Sequence, residues 1–281
     1  MQIAVASGKG GTGKTTVSVG LAQAYGKPVV YLDCDVEEPN GSIFLKPEIA
    51  SSKTVNVKVP VVDTVKCRAC GSCSSICQFN AILTLGSRAM VFPELCHSCG
   101  GCERVCISGA ITEVNHAVGS ISCGFSGKVK TVSGLLEIGH AMAPPVIKAV
   151  KAYAADDGLT IVDCPPGTSC SLLAAVKGSD FVILVTEPTP FGLHDLKISV
   201  DTLRRLGLPF GVIVNRSDSG DNRVCSYCEK EQIPLLLEIP ESREIAEAYS
   251  CGEGVVAVSE FLKVRLADLA EQLVDQFGTR V

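Results

Sequence analysis

The stretch SGKGGTGKTT, residues 7–16, decides the fold. Gly8 to Thr15 fits G-x-x-x-x-G-K-[ST], follows the apolar run QIAVA at 2–6, and opens a helical pattern over 14–25. Strand, glycine-rich loop and helix form the context in which this motif binds phosphate. Backbone N–H groups along Gly8, Gly10, Gly11, Thr12 and Gly13 can cradle oxygens, and the helix N-terminus at Lys14, Thr15 and Thr16 adds positive potential. Lys14 is placed to reach the β- and γ-phosphates, and Thr15 to hold Mg²⁺ through its hydroxyl. The usual motif carries one lysine. This one carries a second, Lys9, which the motif alone does not explain.

Outward from the loop, VVYLD (29–33), LTIVD (159–163), FVILV (181–185), FGVIV (210–214) and PLLLEI (234–239) are continuous apolar runs. Helical segments such as 191–206 and 241–250 lie between them. Such runs predict an α/β fold, a mostly parallel sheet covered on both faces. Parallel strands end at one edge, so Asp33, Asp35 and Asp163 should gather near the phosphates. Asp163 ends a Walker B-like strand that would polarise Mg²⁺ or its waters, and one of the other acids is a candidate to orient the attacking water. The closing segment 259–277 spaces Leu262, Leu266, Leu269, Leu273 and Phe277 as a helix packed on the sheet. A membrane-surface helix is the competing reading. Its polar face should be rich in Lys and Arg, yet Lys263, Arg265 and Arg280 stand against Glu260, Asp268, Glu271 and Asp275.

The chain has 281 residues, 46% of them apolar, and a net charge of −5. That charge argues against nucleic-acid binding through a basic surface. No run of about 18 apolar residues predicts a membrane insertion, and the strand-forming N-terminus does not resemble a signal peptide. A cytoplasmic location is expected. In a reducing compartment, the 15 cysteines point to metal or redox chemistry rather than disulfides.

Eight of the cysteines fall between residues 59 and 119, where the α/β pattern breaks. CRACGSCSSICQFNAI and CHSCGGCERVCISGAI repeat one another, so a pseudo-symmetric module is expected. Ser51 to Lys53 and the glycines from Gly119 to Gly139 read as its flexible borders. Cys67, Cys70, Cys73 and Cys77 follow C-x₂-C-x₂-C-x₃-C, and Cys96, Cys99, Cys102 and Cys106 repeat it. This is the spacing of two-cluster ferredoxins, in which the fourth cysteine of each run serves the other cluster. That resemblance implies one [4Fe-4S] cluster on Cys67, Cys70, Cys73 and Cys106, and a second on Cys96, Cys99, Cys102 and Cys77. Zinc competes, since C-x₂-C pairs also make zinc sites, but two runs of four with x₃ before the last favour iron–sulfur. The fourth cysteines are followed by Gln78 and Ile107, where ferredoxins usually carry proline. Lys66, Arg68, Arg88 and Arg104 balance Asp63, Glu94, Glu103 and Glu113. Two thiolate-bound clusters would therefore make the module acidic, a docking face for a basic patch on a redox partner.

GKGGTGKTT, DCDVEEPN, DCPPGTS and VTEPTPFGLHDL resemble the deviant-Walker ATPases of the MinD/ParA/Mrp group over residues 1–58 and 120–277. That resemblance implies that Lys9 crosses to the partner when two ATP-loaded chains face each other, as an arginine finger does. It also implies that Asp35 positions the water, Asp33 supports the Mg²⁺ shell, and Asn215 and Arg216 meet the adenine. The whole arrangement resembles MinD-type ATPases with an inserted ferredoxin domain. It would have an ATPase portion at 1–58 and 120–281 and an inserted portion at 59–119. Cys225 and Cys228 read as a C-x-x-C in a polar loop, open to an extra cluster or metal, a redox pair, or no function. Cys170 has an offset from Asp163 like that of a cluster ligand in the nitrogenase iron protein, and core packing is the reading preferred for it. Cys34 and Cys164 read as small buried residues, and His97 and His194 as non-ligands.

The expected activity is slow, dimer-dependent ATP hydrolysis coupled to electron transfer through the two clusters. The partners would be a second copy or a paralogue, and a redox or iron–sulfur acceptor protein. An iron–sulfur carrier and a redox-sensing regulatory ATPase are the alternatives.

Overall fold

The computed structural model describes residues 1–140 and 142–278. Residues 279–281, the end of the expected ATPase portion and including Arg280, lie outside the described residues. The chain begins β1 (Gln2–Ala6), α1 (Lys14–Ala24), β2 (Val29–Asp33), α2 (Gly41–Leu45) and β3 (Glu48–Val62). The cysteine-rich part holds α3 (Ser72–Ile76), β4 (Ile82–Leu85), β5 (Arg88–Val91) and α4 (Gly101–Arg104). Then come β6 (Ile111–Ser126), β7 (Val129–Leu136), α5 (Pro144–Lys151), β8 (Leu159–Asp163), α6 (Cys170–Val176), β9 (Phe181–Thr186) and α7 (Pro190–Leu206). The chain closes with β10 (Phe210–Asn215), α8 (Arg223–Lys230), β11 (Leu235–Ile239), α9 (Arg243–Ser250), α10 (Val255–Val258) and α11 (Glu260–Phe277).

The main sheet runs β11-β10-β9-β1-β8-β2-β7-β6-β3. Its central strands are parallel and buried on both faces, which is why their sequences read as unbroken apolar runs. Ala4, Leu32, Val162 and Leu184 face one core with Val146, Leu172 and Leu203. Ile3, Tyr31, Ile161 and Ile183 face the other with Leu21 and Leu266. Leu262, Leu266, Leu269 and Leu273 of α11 are all buried in that second core, so its apolar face is spent on packing. Among the described residues, no helix is long and apolar enough to cross a membrane.

Three strands depart from the expected pattern. Ser51 to Lys53 belong to β3, and the stretch from Gly119 onward forms β6 and β7, so the expected flexible borders are ordered ladders. β7 joins β2 in parallel, and β6 and β3 follow antiparallel at the sheet edge. Beyond Gly119, where the ladder with β7 ends, β6 and β3 are each other's strand partners, and a register shift marks this point between Val55 and Asn56. They continue as a two-stranded arm to Val62 and Ile111. The arm carries residues 63–110, whose Cys73, Ile82, Ala89 and Cys102 form a small core with Ile111 of β6, and which have their own hairpin β4–β5.

Leu266→Ala tests the packing of α11. It should cost about 2–5 kcal/mol, read as a lower urea midpoint with an unchanged slope. A loss below about 1 kcal/mol would contradict the core role.

Candidate functional site

The P-loop turns between β1 and α1 under tight constraints. A Cβ at Gly8 would stand 2.6 Å from the Asp195 carbonyl oxygen of α7. Gly13 has φ +95° in the left-handed region and its Cα faces the Asn215 side chain, so glycine alone fits both demands. Gly10, Gly11, Gly13, Lys14, Thr15 and Thr16 line a cleft of about 1230 Å³, while Gly8 and Thr12 stand behind the loop against α7. The ends of β2, β8, β10 and β11 supply much of the remaining wall, among them Asp35, Pro165, Asn215, Arg216 and Pro240.

Register brings the acids together. Asp33 and Asp163 are directly paired on β2 and β8, and both are buried. Asp33 accepts from Gly41 N–H at 3.0 Å and from Asp35 N–H at 3.3 Å. Neither Asp33 nor Asp163 is among the residues that line the cleft directly. The contacts of Asp33 brace the loop that carries Asp35. Asp163 accepts from the Tyr31 hydroxyl at 2.9 Å through Oδ2, while its Oδ1 is buried without a partner. Burial raises the proton affinity of both carboxyls, of Asp33 most strongly. Such a donor-poor oxygen beside Lys14 and Thr15 fits a hydrated divalent cation. Asp35 lies 4.0 Å from Lys14 Nζ. Burial pushes its carboxyl up to about 6, with Lys14 opposing the rise.

The second lysine is held within the chain. Lys9 Nζ lies 3.5 Å from Glu187, and Glu187 also accepts from Arg216 Nη1 at 3.0 Å. Sequence reasoning missed this clamp, although Glu187 directly follows β9 inside the quoted VTEP. Asn215 spends an amide hydrogen on the Thr12 carbonyl at 3.0 Å and accepts from Arg216 N–H at 3.1 Å. It borders the cleft, but its first contact holds the P-loop in place.

The eight cysteines between 59 and 119 separate into the two expected sets. Cys67, Cys70, Cys73 and Cys106 line one hollow, and Cys77, Cys96, Cys99 and Cys102 line another. Left-handed residues at Ala69, Gly71, Ser98 and Gly100 wrap the backbone around them. Ala81 N–H donates to Cys77 Sγ at 3.3 Å, Ser98 N–H to Cys96 Sγ at 3.4 Å, and Ala110 N–H to Cys106 Sγ at 3.3 Å. Four thiols with backbone donors aimed at sulfur make a donor set that fits iron–sulfur ligation. Among the described residues, no three His, Cys, Asp or Glu side chains stand close enough together to hold a single metal ion.

The other cysteines do not join these sets. Cys225 and Cys228 lie on helix α8, not in a polar loop, and Cys228 is buried in the core beside Val224. Burial pushes the Cys228 thiol up to about 11 and raises that of Cys225. Cys170 is exposed as the first residue of α6, which corrects the expectation of core packing. Cys34 and Cys164 are fully buried, as expected. His97 stacks on Phe79 with ring centroids 3.4 Å apart.

Fold and site together define a P-loop ATPase. The chain belongs to the CobQ/CobB/MinD/ParA nucleotide-binding domain family, whose model matches residues 3–255. An uncharacterised protein of Methanocaldococcus jannaschii is 32% identical over 249 residues, 86% of this chain and 87% of that one. An iron-sulfur cluster carrier protein of Pyrococcus horikoshii is 24% identical over 308 residues, covering 98% and 86%. The septum site-determining protein MinD of Pyrococcus horikoshii, solved with Mg-ADP, shares the fold with a TM-score of 0.62 at 22% identity, covering 100% and 98%.

Asp35→Asn tests the electrostatics of the site. The folded carboxyl holds its proton up to about pH 6, well above the unfolded value of about 4. Its stabilising contribution is therefore full below about pH 4 and lost as pH rises through 6. The asparagine variant should be more stable than the parent at pH 7.5, on the order of 1–3 kcal/mol, with no such gain at pH 3.5. A variant less stable at pH 7.5 would refute the assignment.

Proposed function

We propose that the chain is an ATP-driven iron–sulfur protein in which nucleotide-dependent pairing of two subunits is coupled to electron transfer through a ferredoxin-like module at 63–110. When bound, Mg²⁺ supplies charge neutralisation at the phosphates, and two [4Fe-4S] clusters supply one-electron chemistry. The P-loop N–H groups and Lys14 bind and orient the phosphates. Thr15 and Asp163 are the residues to hold Mg²⁺ and its waters, and Asp35, ionised above about pH 6, is the group to take a proton from the attacking water. Lys9 leaves Glu187 to reach the phosphates of a second copy or a paralogue, so that hydrolysis waits for pairing.

The observation that carries the coupling is a short backbone relay. The Val36 carbonyl, next to Asp35, accepts from Leu136 N–H at 2.8 Å, and Glu137 N–H donates to the Val118 carbonyl at 2.9 Å. Val118 lies at the root of the arm that carries the cysteines. Motion of the Asp35 loop on nucleotide binding is thereby tied to the arm. A second reading, an iron–sulfur cluster carrier, is favoured by the name of the Pyrococcus relative. The burial of Cys228 speaks against α8 as the delivery point in that case.

Lys9→Ala should keep nucleotide binding and the clusters but lose ATP-dependent pairing in light scattering, with hydrolysis falling about 10³-fold or more, the scale of an arginine finger. Unchanged turnover would refute the trans role. A non-hydrolysable ATP analogue should change the rate or potential of cluster reduction in the parent protein, and no change in either would overturn the coupling. Cys225→Ser/Cys228→Ser should leave any iron–sulfur transfer to an apo-acceptor intact. Its loss would return that pair to the carrier reading.

A further inference from the structure

The two thiol-lined hollows are built on the same frame. The offset that carries Cys67 onto Cys96 carries most of the lining of the first hollow onto that of the second. The hydrogen bonds follow it too. Asp63 N–H donates to the Ala110 carbonyl at 2.7 Å, and its counterpart Phe92 N–H donates to the Ala81 carbonyl at 2.8 Å. Ala81 and Ala110 each give a 3.3 Å N–H bond to the sulfur of a fourth cysteine. Much of the backbone surrounding is therefore shared, and the pronounced differences are in side chains.

Three side-chain pairs differ in favour of the first hollow, while in the second Ser98 N–H donates to Cys96 Sγ at 3.4 Å and the buried Ser98 hydroxyl has no partner. Ser72 lies 3.5 Å from Cys70 Sγ, and Ser108 lies 3.6 Å from Cys106 Sγ. A coordinating sulfur is a thiolate without a proton, so in both pairs the hydroxyl must be the donor. The equivalent positions hold Gly101 and, in the second hollow, Phe79, neither of which offers a hydroxyl. A third pair is Thr84 and Glu113. Thr84 lines the first hollow and Glu113 the second, and each has a buried side-chain oxygen without a partner. The threonine hydroxyl can donate to sulfur. The carboxylate can only accept, and it brings negative charge. Reduction adds an electron, so donors to sulfur favour it and a neighbouring carboxylate opposes it.

We infer that the two cluster sites are electronically unequal, with Ser72, Ser108 and Thr84 making the Cys67–Cys70–Cys73–Cys106 site the better electron acceptor and Glu113 making the Cys77–Cys96–Cys99–Cys102 site the stronger reductant. This rests on the two-cluster reading of the module. Pro60 and Glu113 of the second hollow are paired across the arm, while Thr84 and Ala89 of the first are paired across the β4–β5 hairpin. One electron lost at the Cys77–Cys96–Cys99–Cys102 site is one electron gained at the Cys67–Cys70–Cys73–Cys106 site, so charge entering the module comes to rest at the latter.

The test is an EPR-monitored redox titration of the anaerobically purified full chain, with iron and sulfide counted on the same sample. Two separate one-electron steps are expected. Ser72→Ala/Thr84→Val/Ser108→Ala should lower the higher step at least tenfold in its reduction equilibrium, about 59 mV for one electron, and leave the lower step in place. Glu113→Gln should raise the lower step alone. If the triple variant loses iron, the Glu113→Gln titration decides. About eight irons per chain with coincident steps, or with both steps moving together in a variant, would overturn the inference. Clearly fewer irons in the parent would instead overturn the two-cluster reading beneath it.

Discussion

Two buried carboxylates side by side are costly, and the structure around the nucleotide cleft is arranged to accommodate them. Asp33 and Asp163 meet because β2 and β8 are parallel neighbours in register. Desolvation and mutual repulsion both oppose their ionisation. Gly41 and Asp35 N–H groups meet one, and Tyr31 meets the other. What they leave unmet is one oxygen of Asp163, beside a lysine and a threonine of the P-loop. The acid ladder thus braces the Asp35 loop on one side and leaves a place for a cation on the other.

Much of this was legible in the sequence because the signals are local. The P-loop motif, the unbroken apolar strands and the leucine spacing of α11 each sit within a few turns of chain. The cysteine runs are similar: three of the four sulfurs in each hollow come from one short segment. β3 was illegible for a physical reason. At the sheet edge its residues 48–54 are all exposed, so SSKT carries no apolar period to read. Burial of single cysteines was equally hidden, since Cys170 and Cys228 differ only in what folds over them. The contact of Lys9 with Glu187 joins residues far apart in sequence, and no local spacing encodes it.

The internal repeat in the cysteine module works differently from the ATPase core. There, different strands contribute different groups to one site. Here, one supersecondary unit is used twice, and the copies diverge at the side chains that meet sulfur. A shared backbone with unshared donors is an economical way to make two similar sites behave unlike one another.

The ribbon formed by β3 and β6 has one more implication. The polypeptide departs from the host sheet on one strand and returns on its immediate neighbour, so to the sheet the whole cysteine-bearing unit is merely the tip of a hairpin. Lengthening such a tip costs little entropy, about 0.6 kcal/mol per doubling. The unit therefore has the connectivity of a graft: cut at the ribbon and closed by a short turn, the strands left in the sheet would keep their sheet partners.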